Sequence, residues 1–101
     1  MLVDISASIT TNSLVGERVE EGRSLPGAWM IGPDGTASDD PALLTAKPAG
    51  ALLPLGGTEY GHKGFALGLI VEMLTAGLAG HGRADAPDQW GASVFVMVVE
   101  P

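Results

Sequence analysis

Apolar positions along this chain fall into runs of different length and flanking chemistry, and each kind of run predicts a different element. Leu2 to Ile5 is short, apolar and interrupted by Asp4, which fits a strand. From Ser6 to about Gly22, hydroxyl residues lead into a segment whose acids between Glu17 and Glu21, with Arg18, form a solvated face. This predicts a helix with a Ser or Thr near its start and Gly22 as its stop. Leu25-Pro26-Gly27 is a turn, Ala28 to Ile31 a brief strand, and Pro33-Asp34-Gly35 a strong turn signal. Ser38-Asp39-Asp40-Pro41 reads as a turn or helix cap, with a short helical turn from Pro41 to Thr45.

The stretch Ala49 to Gly57 is too rich in Gly and Pro for regular structure and predicts a shaped loop. A helix is predicted from about Gly61 to Leu78. Its apolar residues, from Phe65 through Leu69, Val71 and Leu74 to Leu78, cover nearly every face, the mark of a buried central helix. Gly64 and Gly68, four apart, would let another backbone come close. Glu72, within that apolar helix, is expected to be paired or functionally placed. His81 to Gln89 is a polar loop, and Ala92 to Val99 is a β-branched run that suggests a strand buried on both faces. The order β-α-β-loop-α-β predicts an α+β fold, a mixed-sheet sandwich around a buried central helix. At 101 residues the chain is one domain at most, residues 1–101 forming a single partial domain.

Composition narrows the chemistry. A chain that is 46% hydrophobic and 17% charged is globular rather than disordered. No cysteine is present, which removes disulfides, thiolate metal sites and Cys nucleophiles and fits a reducing, cytoplasmic setting. The net charge of −7, with five scattered Lys and Arg, argues against nucleic acid and against an anionic membrane surface. No basic leader precedes the first apolar run, and Gly64 to Gly80, with Glu72 inside it, falls short of the ~20 residues a spanning helix needs.

The richest segment chemically is Leu53 to Phe65. Glycines followed by Lys63 at a helix start suit a phosphate or carboxylate, because backbone N–H groups, the helix dipole and an ammonium converge there. It is not a standard P-loop: Gly56 and Gly61 have the right separation, but His62 stands in the lysine position and no Ser or Thr follows Lys63. No G-x-G-x-x-G follows a strand, so the dinucleotide fingerprint of the Rossmann fold is missing. The plainer reading gives the glycines to turns and Lys63 to the surface. His62 and His81, the only histidines, match no metal-ligand spacing, and His81 is expected in solvent. Ser6, Ser8, Thr10 and Thr11 follow a strand end, where open α/β sheets bind ligands, although capping the next helix would explain them equally well. Trp29 and Trp90 suit a core or interface better than a stacking platform, and Asp39 and Asp40 suit a turn.

Three stretches taken together resemble the malate/L-lactate dehydrogenase family, which also includes ureidoglycolate, sulfolactate and diketogulonate dehydrogenases. Val3-Asp4-Ile5-Ser6-Ala7-Ser8 is similar to the family's D-M-[AS]-[TM]-[ST] strand end. Leu25-Pro26-Gly27-Ala28-Trp29, Asp34-Gly35 and Asp39/Asp40-Pro41 are similar to its I-P-x-x-W, D-x-x-G and T-D-P succession. Leu53-Pro54-Leu55-Gly56-Gly57, then His62-Lys63-Gly64-Phe65 and a helix to Glu72-Met73-Leu74, are similar to L-P-x-G-G and K-G-Y-G-L with the helix that follows. The likeness covers essentially the whole chain.

The resemblance implies a non-Rossmann NAD(P)-binding domain beside a helical one, in an enzyme that works as a homodimer. It implies that Ile5, Ser6 and Ala7 line the nicotinamide cofactor, NAD or NADP, with Ser8 adding to them, and that Lys63 and His62 touch the dinucleotide. The reaction implied is reversible hydride transfer between the nicotinamide and C2 of a small 2-hydroxy or 2-oxo acid, which requires a cation for the carboxylate and a proton acceptor for the hydroxyl. The family's catalytic histidine and substrate arginine lie upstream of Leu2, and its closing segment lies downstream of Pro101. The chain is therefore expected to be the middle portion of such an enzyme, inactive in isolation, and no catalytic residue is assigned in it. His62 departs from the family's residue types at its position. The competing expectation is a non-enzymatic module that binds a nucleotide or a partner chain. In either case exposed apolar surface is expected to make the isolated chain self-associate.

Overall fold

The computed structural model describes residues 2–81 and 91–100, and the chain divides into two compact units, Met1–Ala66 and Leu67–Pro101. The first unit holds helix α1 (Asn12–Glu21), strands β1 (Met30–Ile31), β2 (Ala37–Ser38) and β3 (Ala51–Leu52), and a 3₁₀ turn over Pro41–Leu44. Helix α2 (Gly57–Glu72) begins there, and its last residues belong to the second unit, where a π-turn over Met73–Gly77 follows. This is a small α+β arrangement of two helices and a three-stranded sheet.

Local chemistry accounts for the boundaries. Thr11 caps α1 by accepting a hydrogen bond from the Leu14 N–H at 3.2 Å. Gly22, at φ 63°, closes the helix by donating to the carbonyls of Arg18 and Val19. Asp40 caps the 3₁₀ turn, its carboxylate accepting from the Ala42 N–H, with Pro41 in the first turn. The predicted stop at Gly22 and the helical turn after Pro41 are both observed. Helix α1 nevertheless starts later than expected. The backbone from Ala7 to Ile9 is committed elsewhere, in hydrogen bonds to residues 53–55, and cannot also be helical.

The sheet order is β2-β1-β3 and both pairings are antiparallel, with Met30 opposite Ser38 on one side and Leu52 on the other. This corrects the expected mixed sheet. Strand β3 lies inside the stretch predicted to be loop, because pairing with β1 outweighs the weak strand propensity of a Gly- and Pro-rich sequence. The core of this unit is Val15, Leu25 and Met30, with Trp29, Leu43, Leu44 and Leu52 packed against it, so Trp29 is a core residue as expected. Trp90 lies outside the described residues, as does most of the polar loop His81 to Gln89.

Three other expectations are corrected. Leu2 to Ile5 forms no strand among the described residues, and Leu2 is 92% exposed. Ala92 to Val99 likewise forms no strand among the described residues, and Val94, Val96, Val98 and Val99 are exposed. Helix α2 is present, but it is not a buried central helix: Phe65 is 61% exposed, and Leu69, Ile70, Val71, Met73, Leu74 and Leu78 are also exposed. Glu72 is exposed too, and makes no ion pair among the described residues. An apolar run buries only where another layer covers it, and the described residues supply none here. Among the described residues the α+β segment is two helices and a three-stranded antiparallel sheet, with no second layer over α2. Among the described residues no helix is long and apolar enough to cross a membrane.

Candidate functional site

All six residues expected at the cofactor fall within the first unit, on two neighbouring pieces of chain. The first piece is the peptide Ile5 to Ile9. It is tied to the loop before α2 by a bridge between Ser8 and Pro54. The Ile9 N–H donates to the Leu53 carbonyl at 2.9 Å, and the Leu55 N–H donates to the Ala7 carbonyl at 2.8 Å. Ala7 and Ser8 are half-buried by this pairing, whereas Ile5 and Ser6 are exposed. The hydroxyls are turned onto the local backbone: Ser6 Oγ donates to the Ser8 carbonyl at 2.9 Å, and Ser8 Oγ to the Thr10 carbonyl at 2.6 Å. Their oxygens keep lone pairs for a ligand donor.

The second piece is the Gly56-Gly57 turn and the start of α2. Gly56 has φ 100° and Gly57 φ 61°, conformations that side chains with a Cβ rarely adopt. A Cβ on Gly56 would lie 2.5 Å from the carbonyl oxygen of Tyr60, so the turn also depends on close backbone approach. Tyr60 itself is non-helical (φ −122°, ψ 15°) and kinks α2 just before Gly61. Beyond the kink the Gly64 N–H donates back to the Leu55 carbonyl at 3.1 Å. A Cβ on Gly64 would overlap the Leu55 N and lie 2.5 Å from its carbonyl oxygen. The close approach expected at Gly64 is therefore present, with the loop as the approaching backbone.

His62 and Lys63 are both exposed on this helix start. The Lys63 ammonium sits 5.0 Å from the centroid of the Tyr60 ring, a contact the sequence reading did not single out although their i, i+3 spacing permits it. Glu59 adds a carboxylate to the first turn. Among the described residues no hydrogen bond joins Ile5 to Ser8 directly to His62 or Lys63; the backbone of residues 53–55 connects them. No cluster of metal ligands occurs among the described residues. A separate cleft of about 220 Å³, lined among others by Arg18, Arg23, Ser24 and Asp40, contains none of the expected cofactor residues. Arg18 and Arg23 there share the Glu21 carboxylate at 3.1 and 3.4 Å, one negative charge between two positive ones.

A peptide hydrogen-bonded to the segment just before a glycine turn that launches a lysine-bearing helix is thus the local class of structure. Comparison with known proteins then gives its family. The chain belongs to the malate/L-lactate dehydrogenase family, whose model matches residues 1–101. It is 31% identical over 105 residues to an L-lactate dehydrogenase of Cupriavidus necator, covering 100% of this chain and 29% of that protein. It is 34% identical over 80 residues to a (2R)-3-sulfolactate dehydrogenase (NADP(+)) of Chromohalobacter salexigens, covering 79% of this chain and 22% of that one. Among solved structures, the Δ1-piperideine-2-carboxylate reductase of Pseudomonas syringae pvar. tomato matches with a TM-score of 0.65 and 38% identity, over 75% of this chain and 21% of that chain. The chain thus spans less than a third of the length of each of these relatives.

Proposed function

We propose that this chain supplies the dinucleotide-contacting segment of an NAD(P)-dependent oxidoreductase that acts on a small acid carrying a 2-hydroxy, 2-oxo or 2-imino group. The observation that carries the reading is the pairing of Ala7 to Ile9 with Leu53 to Leu55. It sets the peptide Ile5-Ser6-Ala7-Ser8 against the turn from which His62 and Lys63 emerge, within one unit. The arrangement fits a dinucleotide in its donor set: exposed backbone and hydroxyl oxygens on one strand of the site, and an exposed ammonium at a helix start on the other. Ile5, Ser6, Ala7 and Ser8 would hold the nicotinamide end, and Lys63 with His62 a phosphate. When bound, the nicotinamide would supply or accept the hydride exchanged with C2 of the acid. The relatives named above, acting on lactate, sulfolactate and a cyclic imino acid, support that substrate class. None of the 101 residues is assigned to proton transfer.

A non-enzymatic module that binds a partner chain is the second reading. The exposed apolar residues of α2 and of Val94 to Val99 favour it.

Calorimetric titration of the chain with NADH and NADPH in turn tests the first reading. Saturable binding weakened about tenfold by Lys63→Ala is expected, the loss of one charge-assisted phosphate contact. Absence of binding by a chain whose circular dichroism shows it folded would move the assignment to the second reading.

A further inference from the structure

The contact between Tyr60 and Lys63 is not needed to hold the fold together, since both side chains are exposed. Its elements are nevertheless held in place by the backbone beneath them. Tyr60 sits at the kink of α2, and its main chain packs so tightly on Gly56 that an added Cβ there would lie 2.5 Å from the Tyr60 carbonyl. Tyr60 and Lys63 flank this kink three residues apart, and the ammonium lies over the ring at 5.0 Å from its centroid. A free lysine spreads its charge over many rotamers, and in a chain of net charge −7 with Glu59 close by, a spread charge is a poor anion receptor.

We propose that Tyr60 is a positioning residue for Lys63. Its ring face restrains the ammonium from one side and leaves the other side for a phosphate group of the nucleotide. The inference rests on the dinucleotide reading above and adds a residue to it: Tyr60 acts through Lys63, not by touching the nucleotide.

A double-mutant cycle on the full chain, read by NADPH titration, tests this. Tyr60→Leu removes the π face and should weaken binding about two- to fivefold, the range for an exposed cation–aromatic contact. Tyr60→Gln, of similar length, should do the same, which guards against a folding defect peculiar to leucine. Tyr60→Phe keeps the ring and should bind as the parent does. In the Lys63→Ala background, Tyr60→Leu should cost nothing further. Several results would overturn the proposal: Tyr60→Leu and Tyr60→Gln binding as the parent, Tyr60→Phe as weak as leucine, or a Tyr60 effect that persists without Lys63. Absence of saturable NADPH binding by the folded parent would overturn the dinucleotide reading itself, and the role of Tyr60 with it.

Discussion

The two units of the chain are both rich in aliphatic residues, yet among the described residues only the first buries a core of them. In Met1–Ala66, Val15 and Met30 have no exposed surface, and Leu25 and Leu53 are buried. In Leu67–Pro101 Leu67 is half-buried, but Leu69, Ile70, Val71, Leu74, Leu78 and residues 94–99 are exposed. The difference lies in punctuation rather than in hydrophobicity. The first unit breaks its apolar residues into short pieces with Gly22, Leu25-Pro26-Gly27, Pro33-Asp34-Gly35 and Asp40-Pro41, and each break folds the chain back onto what came before. The second unit carries long unbroken runs, which need a separate layer to cover them. Apolar sequence makes burial possible, and topology decides whether it happens.

Truncating one side chain in each unit would test this most severely. Met30→Ala empties the centre of the small core and should destabilise the chain by about 2–5 kcal/mol, measured by urea unfolding. Val98→Ala, at a position 89% exposed, should change stability by less than about 0.5 kcal/mol in the same assay. Comparable losses from both would mean that Val94 to Val99 is covered in solution, and the contrast between the units would fail. Hydrogen exchange would sharpen the same point. The amides of Ile9, Leu53 and Leu55 have backbone acceptors and should exchange slowly, whereas those of residues 94–99 should exchange at close to the open-chain rate.

A second substitution probes how the first unit is joined to the start of α2. In an ordinary helix interior, Gly→Ala stabilises by about 0.5–1 kcal/mol. Gly64→Ala should do the reverse, because the new methyl meets the backbone of Leu55 and the loop must shift. A loss of about 1–3 kcal/mol is expected, together with weaker NADPH binding as the loop draws Ala7 and Ser8 away. A stabilised Gly64→Ala variant would mean that the loop does not pack on this helix.

What the sequence made legible follows from the range over which each signal acts. The turn at Pro33-Asp34-Gly35, the stop at Gly22 and the capped turn at Asp40-Pro41 are local chemistry and could be read directly. The start of α1 could not. Ser6, Ser8, Thr10 and Thr11 are all acceptable caps, and the choice of Thr11 depends on a bridge from Ser8 to Pro54, 46 positions away. Strand β3 was hidden for the same reason, since only its pairing with β1 makes a strand of Ala51-Leu52. At the candidate site the glycine turn and Lys63 were legible as a helix start suited to an anion, whereas the contact with Ala7 to Ile9 and the ring of Tyr60 needed the fold. The expected burial of α2 failed because periodicity reports which faces are apolar, not whether anything lies against them.

The smallest expected effect belongs to the best-read feature of the first unit, the turn between β1 and β2. The Asp34 carboxylate accepts from the Thr36 N–H at 3.0 Å and from the Thr36 hydroxyl at 2.9 Å. These bonds favour the ionised form and hold its pKa below the ordinary value of 3.8, the backbone bond contributing most. A carboxyl whose pKa is lower folded than unfolded stabilises the fold fully above the unfolded value, and that contribution disappears as the pH falls through the folded one. The melting temperature of the parent should therefore exceed that of Asp34→Asn by a small margin at pH 6, and the margin should shrink as the pH drops below 4. An NMR titration that placed the Asp34 midpoint at or above 3.8 would remove the turn's hydrogen bonds from the account of why the first unit folds back on itself and the second does not.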